Sequence, residues 1–150
     1  MYSSTTIAFL IPVFSALRLA KFNIDERQSS SFLGLPTPAN ALFWAFLLYG
    51  IVSYSSLLSV NQILFAKIIV FAVIPIFSFL LVSEIPMFSF KFKNFSWQKN
   101  KLRFVFLACS CVLFILFKQH AFPLIIVLYI LFSLFNWVYQ SVYDKSRQQV

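Results

Sequence analysis

Residues 63–82 read ILFAKIIVFAVIPIFSFLLV, in which only Lys67 is charged. A helix needs about 20 mostly apolar residues to cross the hydrocarbon core of a bilayer, so this stretch is long enough to span it. The apolar residues are continuous and do not alternate with polar ones, which argues against a strand of a membrane barrel. A helix also satisfies its own backbone hydrogen bonds, as a membrane interior requires. We therefore predict that the chain crosses a membrane as helices.

The composition of the whole chain supports this prediction. Hydrophobic residues make up 61% of the 150 positions and charged residues only 11%, whereas a soluble domain has about 25% charged residues. We predict an all-α, multi-pass transmembrane helical bundle that forms a single membrane domain over residues 1–150. The turn Ser59–Gln62 is short and uncharged, which predicts an antiparallel hairpin of the second and third spans. About five spans are predicted on this length criterion, at Thr5–Ala20, Ala39–Leu57, Ile63–Val82, Leu102–Phe117 and Pro123–Tyr139.

The distribution of charge predicts the orientation of the chain. The net charge is +8, with twelve Lys and Arg residues against four acidic residues. The cations lie between the apolar spans and form no single basic face, so an anionic lipid surface is a simpler partner than nucleic acid. Ten of the twelve fall on one side of the predicted topology, and the positive-inside rule makes that side cytoplasmic. We therefore predict a protein of the cell membrane with its N-terminus outside and its C-terminus in the cytoplasm.

A cluster of polar residues ends the first predicted span. Residues 16–23 read ALRLAKFN, in which Arg18 and Lys21 are three positions apart and so share a helix face. Two cations on one face at the membrane edge suit a phosphate, and Asn23 adds a neutral hydrogen-bonding group. The residues alone leave a second interpretation open, in which Arg18, Lys21 and Asn23 only anchor the span at the interface.

Two further segments complete a resemblance to a known family. Residues 34–39 read GLPTPA, a loop in which two prolines fix the backbone around Thr37 and its hydroxyl. Residues 81–86 read LVSEIP and are followed by FSFK at residues 88–91. With ALRLAKFN, these segments resemble the phosphatidylserine synthases of the CDP-alcohol phosphatidyltransferase family. Those chains carry A-L-R-L-A-R-F-N-like, G-L-P-x-P-A-like and V-S-x-I-x-Y-P-S-F-K-like runs. The resemblance extends from the first residues to Lys91.

The resemblance implies a role in phospholipid biosynthesis. In this family a phosphatidyl group passes from CDP-diacylglycerol to L-serine, and CMP is released. The resemblance also implies that Arg18, Lys21, Asn23 and Thr37 bind substrate, and that Mg²⁺ or Mn²⁺ serves the complete enzyme. Family members hold these ions with the carboxylates of a D-G-x2-A-R-x8-G-x3-D-x3-D signature, one of which acts as a base. None of the four acidic residues of this chain falls in such a pattern: Asp25, Glu26, Glu84 and Asp144.

We therefore expect the chain to be the C-terminal five-helix part of a larger transferase, inactive alone and without catalytic or metal-ligating residues of its own. The expected partners are CDP-diacylglycerol, L-serine and either an N-terminal segment that carries the signature or a second copy in a homodimer of the full enzyme. Two alternatives stay open on the sequence. One is a CDP-alcohol phosphatidyltransferase that uses a different alcohol, and the other is a small membrane protein without catalytic activity.

The residues that most often bind metals do not form a set in this sequence. Cys109 and Cys111 are two positions apart within an apolar span, so they point to different sides of a helix and are interpreted as packing residues. His120 is the only histidine and has no second ligand at a metal-binding spacing. We interpret His120 as a solvated turn residue.

Overall fold

The computed structural model of the chain describes residues 6–24, 32–87 and 97–148. These residues are almost entirely helical, which confirms the predicted all-α class. In chain order the elements are helix α1 (Leu10–Ile24), strand β1 (Phe32–Leu33), helices α2 (Thr37–Tyr54) and α3 (Val60–Val82), strand β2 (Pro86–Met87), helix α4 (Trp97–Phe117), a 3-10 turn (Lys118–His120) and helix α5 (Ala121–Gln148).

Three stretches of the described residues are long and apolar enough to cross a membrane: Thr6–Ile24, Val60–Val82 and Asn100–Val142. Helices of this length and composition indicate a membrane protein. The last stretch has 43 residues and would measure about 65 Å as a single helix, roughly twice the thickness of the bilayer core. It contains the 3-10 turn and therefore both α4 and α5. Helix α2 has 18 residues and is not one of these stretches, so the total of about five spans stays a prediction.

Aromatic contacts between α4 and α5 show that the chain reverses at the 3-10 turn. The ring of Phe114 lies 5.9 Å from that of Phe122, close to the turn. Farther from the turn, the ring of Phe106 lies 6.1 Å from the rings of Tyr129 and Phe132. The two helices are therefore antiparallel and packed on each other.

Helices α2 and α3 form the predicted hairpin, and a capping box begins its second helix. The Ser59 hydroxyl accepts a hydrogen bond from the backbone N–H of Gln62 at 3.4 Å, and Oε1 of Gln62 accepts one from the backbone N–H of Ser59 at 2.9 Å. This exchange satisfies two backbone donors that the helix itself leaves without partners. Helix α3 therefore begins at Val60, inside the segment predicted as turn, and the turn occupies residues 55–59.

The packed core has aromatic rings of α2 and α3 at its centre. Phe43 stacks on Phe77 with ring centroids 4.0 Å apart, and Trp44 meets Phe77 at 5.8 Å. The indole N–H of Trp44 donates to Oδ1 of Asn40 at 3.1 Å, so both buried polar groups find a partner. The remaining buried residues of the cluster come from α3, β2, α4, α5 and the loop before α2: Leu35, Ile74, Leu80, Met87, Phe106, Ile126, Tyr129 and Ile130.

A pair of short antiparallel strands, which the sequence analysis did not predict, closes one end of the bundle. Phe32 in β1 is opposite Met87 in β2. Two-residue strands are too short to produce an alternating pattern in the sequence. Helix α1 packs along α3. Near the end of α1, Nζ of Lys21 donates to the carbonyl of Val82, the last residue of α3, at 3.2 Å. Helices α1 and α3 therefore run in the same direction.

Gly34 allows the loop after β1 to approach α3 closely. Its φ is +76°, in the left-handed region that a β-carbon disfavours. A Cβ at this position would lie 2.7 Å from the carbonyl oxygen of Leu81 and 2.7 Å from that of Ser83. Both the backbone conformation and the available space therefore require glycine.

We predict that Gly34→Ala lowers the apparent melting temperature of the purified protein in detergent by at least about 5 °C. The left-handed conformation costs an alanine about 1–2 kcal/mol, the two carbonyl contacts add to this cost, and each kcal/mol corresponds to about 2–4 °C in a chain of this size. Gly50→Ala is the matched control, because a Cβ there lies 3.5 Å from Nδ1 of His120, an ordinary contact. Equal melting temperatures for the two variants would contradict the assignment of Gly34.

Candidate functional site

A cleft of about 320 Å³ lies where α1 meets the loop that leads into α2. The cleft brings together the ALRLAKFN and GLPTPA segments, which are separated in the sequence by a polar stretch. Of the four predicted site residues, Arg18 and Thr37 line the cleft. The described residues that line it are Arg18, Leu19, Phe22, Pro36, Thr37 and Pro38.

Arg18 is the charged residue among the described residues that line this cleft, and only 3% of its surface is exposed. Its Nε–H donates to the carbonyl oxygen of Leu35 at 3.4 Å, a long hydrogen bond. The guanidinium carbon lies 5.6 Å from the centre of the Phe22 ring, within the range of a cation–π contact. Tyr129 of α5 is close enough to interact electrostatically with the guanidinium. Arg18 therefore lies inside the bundle, against its own helix, the loop before α2 and helix α5.

Lys21 lies one turn after Arg18 but has different partners. Its Nζ donates to the carbonyl of Val82 and to Oε1 of Glu84, each at 3.2 Å. The pair with Glu84 is partly open to solvent, with 33% of the Lys21 side chain and 64% of the Glu84 side chain exposed. Lys21 therefore links α1 to the segment that follows α3, and it is not among the residues that line the cleft.

Thr37 and Asn23 differ in how close they are to the cleft. Thr37 is half-buried and is the first residue of α2, after Pro36 at the cap position with φ −61° and ψ 133°. Pro38 follows in the first turn, where a missing N–H costs little because that donor has no partner within the helix. Pro36, Thr37 and Pro38 all line the cleft, so the start of α2 faces it. Asn23 is exposed near the end of α1 and does not line the cleft.

The third of the similar segments, LVSEIP at residues 81–86, packs against the GLPTPA loop together with the end of α3. The backbone N–H of Leu35 donates to the carbonyl of Leu80 at 2.8 Å, and that of Gly34 donates to the carbonyl of Ile85 at 2.9 Å. The Ser83 hydroxyl donates to the carbonyl of Leu80 at 2.9 Å. The LVSEIP segment thus packs against the GLPTPA loop through its backbone. The FSFK part of the similarity, residues 88–91, lies outside the described residues.

Sequence reasoning missed two neighbours of Arg18. Phe22 is four positions after Arg18, a spacing that places both on one helix face, so periodicity could have identified it. Tyr129 belongs to the last helix, and no local pattern connects it with α1. Only the packing of α5 against the other helices brings it near Arg18.

The described residues do not fit the divalent metal site that the resemblance implies. They contain no group of three or more His, Cys, Asp or Glu side chains close enough to hold an ion. Glu84, the one carboxylate whose side chain is described, pairs with Lys21. Asp25 and Glu26 lie outside the described residues, and the side chain of Asp144 is likewise not described. We assign no step of a reaction to a metal held by the described side chains.

Comparisons of the chain with protein-family models, with curated proteins and with solved structures give no match. Membership of a family therefore stays a prediction from the three sequence segments.

We predict that the Lys21–Glu84 pair contributes less than about 1 kcal/mol to stability, because it is partly solvated. The measurement is a double-mutant cycle of Lys21→Met and Glu84→Gln, followed by thermal unfolding in detergent. The loss of unfolding free energy in the double variant should equal the sum of the two single losses to within about 1 kcal/mol. A coupling energy above about 2 kcal/mol would instead indicate a desolvated pair.

Proposed function

We propose that the cleft beside Arg18 binds the phosphate of an anionic lipid substrate, and that the chain takes part in phosphatidyl transfer from CDP-diacylglycerol to L-serine. The observation that carries this proposal is the buried guanidinium of Arg18 in a cleft whose opposite wall is the GLPTPA loop. Two of the three segments that resemble phosphatidylserine synthases, ALRLAKFN and GLPTPA, form the two sides of this cleft.

The chemistry of the cleft favours an anion. The planar guanidinium of Arg18 matches the oxygens of a phosphate, which it can bind through two parallel hydrogen bonds. The first turn of α2 begins at Thr37, and a helix N-terminus carries partial positive charge from its N–H groups. None of the described residues that line the cleft is acidic. Both sources of positive potential therefore act on the same space.

The walls and the size of the cleft favour a lipid headgroup. Leu19, Phe22 and the two prolines provide apolar surface beside the charged group. A volume of about 320 Å³ is at the lower end of the range for ligand sites. This volume accommodates a phosphate with its attached headgroup, while the acyl chains would extend into the surrounding bilayer.

The proposal assigns substrate binding to this chain and assigns proton transfer elsewhere. In the transfer reaction the serine hydroxyl oxygen attacks the phosphorus that carries diacylglycerol, the bond from that phosphorus to CMP breaks, and a base accepts the serine proton. Glu84, the one carboxylate among the described side chains, pairs with Lys21, so the proposal does not assign it the proton. The family resemblance implies that the base and the metal ligands belong to the D-G-x2-A-R signature.

The proposal includes an orientation in which the cleft faces the cytoplasm, where CDP-activated lipids are used. Arg18 and Lys21 lie at the cleft end of the bundle, as do Lys101 and Arg103 at the start of α4, whereas Lys118 lies at the opposite end. This asymmetry supports a cytoplasmic cleft by the positive-inside rule. In the same arrangement α5 ends in the cytoplasm.

We predict that a reporter that is active only in the cytoplasm is active when fused after residue 150, and inactive when fused within the turn at residues 55–59. The positive-inside rule gives this direction because ten of the twelve cations lie on the cytoplasmic side of the predicted topology. The control is a reporter active only outside the cytoplasm, which should give the opposite pattern. If the first reporter were active only when fused at residues 55–59, the orientation would be opposite to the proposed one.

We predict that Arg18→Ala weakens the binding of a short-chain CDP-diacylglycerol by at least about tenfold, because it removes a charge-assisted contact with the phosphate. A tenfold loss of affinity corresponds to about 1.4 kcal/mol of binding free energy. The measurement is calorimetric titration of the chain in maltoside micelles. Arg18→Lys should retain part of the affinity, since it keeps the charge without the planar fork. Lys101→Ala is the control, because it removes an exposed cation at the same end that does not line this cleft.

A serine-incorporation assay separates the alternatives for the reaction itself. Membranes that contain the chain receive CDP-diacylglycerol, labelled L-serine and Mg²⁺ or Mn²⁺. We expect incorporation only when a segment with the D-G-x2-A-R signature is co-expressed, and we expect Arg18→Ala to reduce it. In the binding titration, equal affinity of wild type and Arg18→Ala for CDP-diacylglycerol would contradict the proposal that Arg18 binds the substrate. Incorporation of another alcohol in place of serine would identify a different member of the family.

A further inference from the structure

A second cleft, of about 540 Å³, lies at the opposite end of the bundle. It is formed where α2 ends and where the chain turns from α4 into α5. Its lining combines a cation, an amide, an imidazole and a phenol with two apolar side chains. These residues are Tyr54, Leu116, Phe117, Lys118, Gln119 and His120.

Contacts with α2 fix the turn that forms this cleft. The His120 ring stacks on that of Tyr49, with centroids 5.9 Å apart and an angle of 23°, and lies 5.2 Å from that of Tyr54. The side-chain amide of Gln119 donates to the Tyr49 hydroxyl at 3.0 Å. His120 is therefore half-buried between two tyrosine rings, which corrects its interpretation as a solvated turn residue. It does lie on a turn, as predicted, but the end of α2 covers its ring.

Lys118 occupies a backbone conformation that lysine rarely adopts. Its φ is +50°, and among the described residues it is the one non-glycine residue with a positive φ. A turn that needed only this conformation would favour glycine or asparagine. Lysine adds a cation at the edge of the cleft, and strained backbone of this kind concentrates at functional sites.

The charge at this end of the bundle is positive. The sequence has no acidic residue between Glu26 and Glu84, and none between Glu84 and Asp144. The α2–α3 turn and the α4–α5 turn lie within those two intervals, so neither supplies a carboxylate to balance Lys118. Lys67, one to two turns into α3, is a second cation nearer this end. Leu116 and Phe117, the last two residues of α4, provide the apolar wall.

We propose that this second cleft binds a phosphate group, carried by a phospholipid headgroup or present as a free phosphate ester. Lys118 supplies the charge, while the hydroxyl of Tyr54 and the ring of His120 supply hydrogen-bonding groups beside it. Tyr49 and Gln119 hold the turn in place through their mutual hydrogen bond. The site is separate from the Arg18 cleft, and the proposal does not depend on phosphatidyl transfer.

The test uses His120 as the reporter, since the chain has one histidine. Selective ¹⁵N-histidine labelling of the full chain in maltoside micelles gives the imidazole resonances of that residue alone. Dihexanoyl phosphatidate and dihexanoyl phosphatidylcholine are the lipid probes, and inorganic phosphate is the free anion. We expect a saturable shift of the imidazole resonances with phosphatidate. A shift with the two lipids but not with inorganic phosphate identifies a headgroup site, and an equal shift with inorganic phosphate identifies a site for the free anion.

Two variants separate a built site from general surface charge. Lys118→Gly removes the cation but preserves the turn, because glycine adopts the positive φ without strain. We expect this variant to lose phosphatidate affinity at least tenfold and to keep or raise its melting temperature. Lys67→Ala removes the other cation near this end and does not touch the cleft, so the affinity should stay within twofold of wild type. The absence of a saturable shift with every probe, an unchanged affinity in Lys118→Gly, or equal losses in both variants would overturn the proposal.

Discussion

The close approach of the loop before α2 to the end of α3 is the constraint on which the Arg18 cleft depends. Gly34 has no β-carbon and so lies against the carbonyl groups of Leu81 and Ser83, and the backbone N–H of Leu35 bonds to Leu80. This contact fixes the point at which α2 begins. It therefore also fixes Thr37, the first turn of α2 and the carbonyl group that accepts the hydrogen bond from Arg18. A shift of this loop would open the cleft.

The burial of Arg18 sets the second condition. A cation that leaves water loses solvation free energy, which the protein must offset with hydrogen bonds and favourable electrostatics. The carbonyl of Leu35, the ring of Phe22 and the phenol of Tyr129 come from three different parts of the chain. Each of these three partners is neutral. On our proposal, the guanidinium also contacts the phosphate of a substrate.

Helix α2 connects the two clefts of the bundle. Its first residue, Thr37, lines the cleft at the Arg18 end, and its last residue, Tyr54, lines the cleft at the other end. Between them, Phe43 and Trp44 form the aromatic centre of the core. The helix carries polar groups in its first and last turns and mostly apolar side chains between them. The middle of α2 therefore packs in the core, while its two ends contribute polar groups to the two clefts.

The sequence by itself determined the helical class, the membrane character, the α2–α3 hairpin and the identity of the two segments that form the Arg18 cleft. These features depend on composition, on the length of apolar runs and on short local motifs, all of which a single chain displays without folding. The tertiary structure alone decided that Lys21 pairs with Glu84 while Arg18 lies in the cleft, that Tyr129 approaches Arg18, and that His120 packs between two tyrosines. The two short strands also belong to this second group. Each of these contacts joins residues distant in the sequence, and their distances depend on how whole helices pack, which no local pattern of residues contains.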